Sequence, residues 1–219
     1  MTTETPSKRY HHGSLPEALL AAAEAVLLRD GISGLGLRAI AREAGVSHTA
    51  PKHHFGDMTG LVSELAAVGF RRLTDAMRTA APEIADVPER RNAIARAYVH
   101  FANDNAAMFG LMFRNDMIDM RRPALHTAAR EAMRVMAAII GGRPETQGEA
   151  STSLGKTEAI QITAAWGYVH GLAILLIDQR LGGVLQAAPG FESPIDLVEA
   201  TLRDARFGFE AGKPSEKKA

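Results

Sequence analysis

The stretch from Leu37 to Phe55, LRAIAREAGVSHTAPKHHF, restricts the fold more than any other part of the chain. It holds two short helical segments that one bend must turn against each other. The first, Leu37 to Ala44, has a thin apolar face of Ile40, Ala41 and Ala44, with Arg38, Arg42 and Glu43 directed elsewhere. Gly45 then permits the positive φ of a tight turn, Val46 plugs between the segments, and Ser47 is placed to cap a second helix running to about His54. Two short helices at this spacing describe a helix-turn-helix. The second is too short and too polar to exist for packing alone. Arg38, Ser47, His48, Thr49, Lys52, His53 and His54 carry donors suited to phosphate oxygens and base edges, so duplex DNA is the expected partner. His54 and Phe55 are expected to close the core of this element.

The remainder reads as helix. Nowhere do consecutive β-branched runs alternate with polar residues, so the predicted class is all-α. A first helix spans about Ser14 to Asp30: Ser14 can cap it, Pro16 and Glu17 suit its first turn, and Gly31 stands where a left-handed C-cap belongs. Leu19, Ala23, Val26 and Leu27 share one face. Asp57 can cap a longer helix to about Ala80 with Leu61, Leu65, Val68 and Leu73 inward. Further helices are expected at about 89–105, 106–115, 123–140, 155–180 and 194–211, the last started by Ser193, Pro194 and Asp196, with an exposed loop over 141–155. The predicted division is a basic arm (1–13, with Lys8, Arg9, His11 and His12), a helix-turn-helix domain (14–60), a larger helical domain (61–211) and a charged tail (212–219).

Charge is neutral on the question of partners. Lys+Arg and Asp+Glu both number 25, which argues against an overall basic coat. A local basic surface is still allowed, because charges are screened beyond about 8 Å. There are no cysteines, which removes disulfides and Cys-ligated zinc. The polar start lacks the apolar core of a signal peptide, and the longest apolar run, Ala159 to Ile177, is interrupted by Gln161, Thr163 and His170. It reads as a buried helix, and a cytoplasmic protein with no membrane partner is expected.

Residues 14–80 resemble the DNA-binding domain of the TetR (tetracycline-repressor-like) family. The resemblance rests on a first helix ending Arg29-Asp30-Gly31, on Leu37-Arg38-Ala39-Ile40-Ala41, on Ala44-Gly45-Val46-Ser47, and on His54-Phe55 leading to Leu61. Farther on, Trp166-Gly167-Tyr168-Val169-His170-Gly171 is similar to a Trp-His-Gly signature of one branch of its C-terminal domains. The resemblance implies a third helix in the major groove, a fourth linking it to a ligand-binding domain, and a dimer built by two C-terminal helices. It also implies repression relieved by a small molecule as the commoner outcome. This chain has Lys52 where the family usually has Tyr, and Met58 where it usually has Lys; both family residues typically contact phosphate.

An apolar cluster in the middle helices falls where the resembled family keeps its ligand cavity. Phe101, Phe109, Met112, Phe113, Met117 and Met133 are therefore the expected ligand contacts, although each is individually an ordinary core residue. Trp166 and His170, four apart, would add an aromatic wall and a polar tip. The helix carrying them has one apolar stripe of Ile160, Ala164, Gly167, Gly171 and Ile174 and another of Ile162, Trp166, Val169, Ala173 and Leu176. A helix apolar on both sides must be covered on both. One side is assigned to the domain core and the other to a second copy, with Gly167, Gly171 and Ile174 joined by Val198, Leu202 and Phe209 of the last helix. No phosphate loop, nucleophile elbow or HExxH is present, so neither enzyme activity, cofactor nor metal is expected. The alternative is a helical protein-interaction module without specific DNA binding.

Overall fold

The computed structural model describes residues 14–80, 84, 86–141 and 155–204. The basic arm, the loop residues 142–154, Phe209 and the tail lie outside them. Among the described residues the chain is helical without strands, as expected: α1 (Leu15–Asp30), α2 (Leu37–Glu43), α3 (Ala50–Phe55), α4 (Met58–Thr79), α5 (Val87–Asp104), α6 (Ala106–Met112), α7 (Pro123–Gly141), α8 (Lys156–Ile177), α9 (Gly182–Ala187) and α10 (Pro194–Asp204). A 3-10 turn at Ile32–Gly34 joins α1 to α2. Neither this turn nor α9 is foreseen from the sequence, because both are too short to show a period. The helices form two compact units, residues 1–69 with 107–126 and residues 70–106 with 127–219.

In the first unit, α1 buries Leu19, Ala22, Ala23, Val26 and Leu27, a stripe at helical spacing. Ser14 stands at its N-cap without a side-chain cap bond; its carbonyl accepts from Ala18 instead. Gly31 has the expected positive φ, +70°, and its N–H closes the helix on the Leu27 carbonyl. Asp57 caps α4, its Oδ1 accepting from the Gly60 N–H at 2.7 Å. The inward residues of the first half of α4 are Leu61, Val62, Leu65 and Ala66, whereas Val68 is only half-buried. α6 approaches α4 so closely at Gly69 that a Cβ there would lie 2.7 Å from Met112 Sδ. Buried Ser63 ties the segment after α6 to α4: its Oγ donates to the Thr59 carbonyl at 2.6 Å and accepts from the Asp119 N–H at 2.9 Å.

In the second unit, α5 lies against both α8 and α10. Asp86 caps α5 through the Glu89 N–H at 2.8 Å, and Ser193 Oγ accepts from the Asp196 N–H at the start of α10. α8 buries Ile162, Val169, Ala173 and Leu176, one of its two apolar stripes. The other is open over its first half: Ile160 is 60% exposed and Ala164 and Gly167 are exposed too, while Gly171 and Ile174 are half-buried. By length and composition α8 is apolar enough to cross a membrane, the one such helix among the described residues.

Arg134 and Arg78 flank Glu131 in this unit and hold its carboxyl at about 2, the Arg134 hydrogen bond being the larger cause. A depressed carboxylate stabilises the fold above its unfolded value and loses that contribution as pH falls. Glu131→Gln is therefore expected to lower stability at pH 7, with the deficit closing between pH 4.5 and about 2. Denaturant melts of both proteins across that range check it; a gap that stays constant with pH refutes it.

Candidate nucleic-acid interface

The bend between α2 and α3 is built by local rules. Ile40 and Ala41 anchor α2 in the core at 0% and 1% exposure. The helix ends on Ala44, whose N–H reaches the Ile40 carbonyl at 2.9 Å. Gly45 takes φ +66°, and a Cβ there would meet nothing within 4 Å, so glycine is required by backbone conformation and not by space. The half-buried Val46 returns its N–H to the Ala41 carbonyl at 3.0 Å.

α3 starts later than the sequence suggests. Ser47 Oγ accepts from the Thr49 N–H at 3.3 Å, as a capping residue would, but the turn it opens closes on Ala50 N–H to Ser47 carbonyl, and the α-helix proper runs only from Ala50. Pro51 consequently falls in the first helical turn, where its missing N–H has no intrahelical partner to lose. Pro51 and Phe55, one turn apart, are the buried side of α3. His54 does not share in closing the core. It is exposed, turned about 100° from Phe55 around the helix.

All seven expected contact residues, Arg38, Ser47, His48, Thr49, Lys52, His53 and His54, are exposed. Thr49 and His53, four apart, lie on the side of α3 away from Pro51 and Phe55, and Lys52 is exposed on its flank. Ser47 and Thr49 hydroxyls are 2.8 Å apart, and the His53 and His54 rings meet edge-on at 5.2 Å. Among the described residues no ion pair engages Arg38 or Lys52, whereas the acid of α2, Glu43, is held by Arg29 at 2.8 Å. The α2–α3 surface thus keeps its cations available and its acid neutralised, which suits a polyanion.

Sequence reasoning missed two features beside this surface. Arg122 places Nη2 3.5 Å from Asp57 Oδ1. Gly60 lies under that guanidinium and under the Phe55 carbonyl; a Cβ there would be 2.7 Å from Arg122 Nη2 and 2.0 Å from the carbonyl oxygen. Asp57 was legible as a cap, but nothing local pairs it with a residue so far along the chain.

Of the expected ligand contacts, the first unit holds Phe109, Met112, Phe113 and Met117 and the second holds Phe101, Met133, Trp166 and His170. The Phe109 and Phe113 rings meet tilted at 55° with centroids 4.9 Å apart, while Met112 packs on Gly69. Trp166 and His170 do share a face, ring centroids 6.0 Å apart, and α5 adds a residue the sequence did not suggest: the Tyr98 hydroxyl lies 2.9 Å from His170 Nδ1. Of the expected dimer contacts, Gly167 is exposed, while Gly171, Ile174 and Leu202 are half-buried. Val198 is turned into its own chain at 1% exposure, because that face of α10 packs inward, so it has no surface to give a second copy.

A helix-turn-helix whose second helix is exposed and polar, in an all-helical chain, is the build of a DNA-binding regulator. Comparison with known proteins agrees. The description "Bacterial regulatory proteins, tetR family" matches residues 19–65, and "Tetracyclin repressor-like, C-terminal domain" matches residues 92–198. A solved structure of a protein of unknown function from Rhodococcus sp. RHA1 is 37% identical over 90% of this chain and 96% of its own, with a TM-score of 0.68. A tetR-family regulatory protein from Rhodococcus RHA1 is 19% identical over 86% and 92%, TM-score 0.56. The TetR family transcriptional regulator PfmR from Thermus thermophilus is 16% identical over 85% and 94%, TM-score 0.53, and at these two lower identities the likeness concerns the fold. No curated protein matches. The chain belongs to the TetR family and is a DNA-binding transcriptional regulator.

Proposed function

We propose that the protein is a cytoplasmic homodimeric repressor that leaves a palindromic operator when a largely apolar small molecule occupies its C-terminal domain. Residues 14–60 read the DNA, 61–211 bind effector and partner copy, and the ends 1–13 and 212–219 serve as a basic arm and a tail. The observation that carries the DNA half is the exposed side of α3, with Thr49 and His53 opposite the buried Pro51 and Phe55 and Lys52 exposed on the flank. Each α3 would enter one of two successive major grooves, the half-sites about one helical turn apart. The dimer half rests on the open apolar stripe of α8. A ligand moves such an equilibrium only through its preference for one conformer, and nearly complete release needs about 10⁴-fold.

A retardation assay with DNA from upstream of the chain's own gene, titrated with salt, tests the reading. Lys52→Ala is expected to weaken specific and random DNA alike and to reduce the log–log salt slope by about one. An unchanged slope removes Lys52 from the phosphate contacts. Absence of any retardation by the wild-type chain, at low salt and with effector absent, sinks the repressor and leaves a protein-interaction module.

A further inference from the structure

The stretch from Leu37 to Gly60, which carries α2, α3 and the first turn of α4, contains two acids, Glu43 and Asp57. Each is met by an arginine from another part of the first unit. Arg29, near the end of α1, holds Glu43 at 2.8 Å. Arg122, immediately before α7, brings Nη2 to 3.5 Å from Asp57 Oδ1. The arginine beside it is committed differently: Arg121 donates to both carboxylate oxygens of Asp119, at 2.9 and 3.2 Å. The segment is fastened to α4, since the Asp119 N–H donates to Ser63 Oγ and the Arg122 N–H donates to the Asp119 carbonyl. Gly60 completes the seat. Without a side chain it lets the guanidinium lie against α4, where a Cβ would be 2.7 Å from Nη2.

Asp57 serves as a cap, its Oδ1 accepting the Gly60 N–H at 2.7 Å. Its charge, however, opposes a polyanion. Only Gly56 separates it from α3, and its side chain is 68% exposed. α3 is six residues long, about 9 Å, so a charge at its end stands one Debye length, about 8 Å, from phosphates along it. We infer that Arg122 supports DNA binding without touching DNA: it is a positioning residue that seats against Asp57 and cancels the carboxylate's charge at the end of α3, leaving the cap intact. This rests on the reading that α3 meets DNA, and it adds to that reading a residue outside the helix-turn-helix.

The test is affinity for the upstream DNA, measured on full-length wild type, Arg122→Gln, Asp57→Ser and the double variant. Serine keeps an oxygen that can cap α4 and removes the charge. Arg122→Gln is expected to weaken binding about fivefold at about 50 mM salt, the loss fading by about 300 mM as the uncovered charge is screened. In the Asp57→Ser background the same change should cost less than about twofold, because no carboxylate is left to uncover. Arg122→Lys, which keeps the charge, should bind within about twofold of wild type. The Tm of Arg122→Gln should stay within about 4 °C of wild type, since an exposed pair contributes little to stability.

An equal loss in both backgrounds overturns the inference and makes Arg122 itself a phosphate contact. No loss in either, a loss that ignores salt, a lysine that fails to rescue, or an Arg122→Gln chain that does not fold overturns it as well. If the wild-type chain retards no DNA, the reading of α3 falls first. With wild-type binding intact, these outcomes concern Arg122 alone.

Discussion

Gly60→Ala is expected to destabilise the DNA-reading unit by about 3 kcal/mol or more, the upper end of the cost of overpacking, and to lower the Tm by roughly 6 °C or more. The added methyl would stand 2.0 Å from the Phe55 carbonyl oxygen and 2.7 Å from Arg122 Nη2. Arg122 can swing away, at the loss of its approach to Asp57. The carbonyl cannot move without displacing the end of α3, since Phe55 is buried and Gly56, at φ +82°, turns the chain immediately into α4. The damage therefore reaches the surface proposed to meet DNA, and operator affinity should fall with stability. Gly110→Ala is the control. Its Cβ would meet nothing within 4 Å, and alanine in a helix is favoured by up to about 1 kcal/mol over glycine. Equal melting of Gly60→Ala and wild-type protein would show that α4 does not start as closely beneath Phe55 as described.

A second large effect is expected at Gly167. On α8 it is exposed, it sits in the open stripe with Ile160 and Ala164, and a Cβ there would meet nothing within 4 Å. Gly167→Arg should leave the monomer's helical content unchanged or slightly increased, because arginine is the better helix former. A guanidinium in an apolar helix-to-helix contact with a second copy would instead be buried without a partner. Sedimentation at micromolar concentration should show monomer for the variant and dimer for the wild type. Operator affinity should drop about 100-fold or more, since linked half-site binding gains roughly 10² to 10⁴ over single binding. A variant that still sediments as the wild type would move the dimer contact off this stripe.

The residues that were legible in advance are those whose role is local. Asp57 and Ser193 cap helices because the N–H they accept from lies three residues on. Gly31 and Gly45 take positive φ at helix ends where the chain must turn within one residue. The two stripes of α8 followed from a period of 3.6, and one of them is the buried one. Where local rules compete, sequence reasoning slipped: Ser47 opens a turn as well as a cap, so α3 begins three residues after it, and His54 was drawn into the core by its neighbour Phe55. The family, too, was legible, because its DNA-binding signature falls in short local segments between Arg29 and Leu61.

The order of residues alone carried the longer helices, the caps at Asp57 and Ser193, the bend at Gly45 and the exposed polar residues of α3, since each depends on neighbours within about one helical turn. Only the folded molecule decided that Tyr98 meets His170, that Arg122 and the Phe55 carbonyl close over Gly60, that Asp119 hangs on Ser63, and that Val198 faces inward and not toward a second copy. Those contacts join residues far apart in the chain. Their selection depends on which apolar faces bury against each other, and a periodic pattern identifies a face without naming the face it will meet.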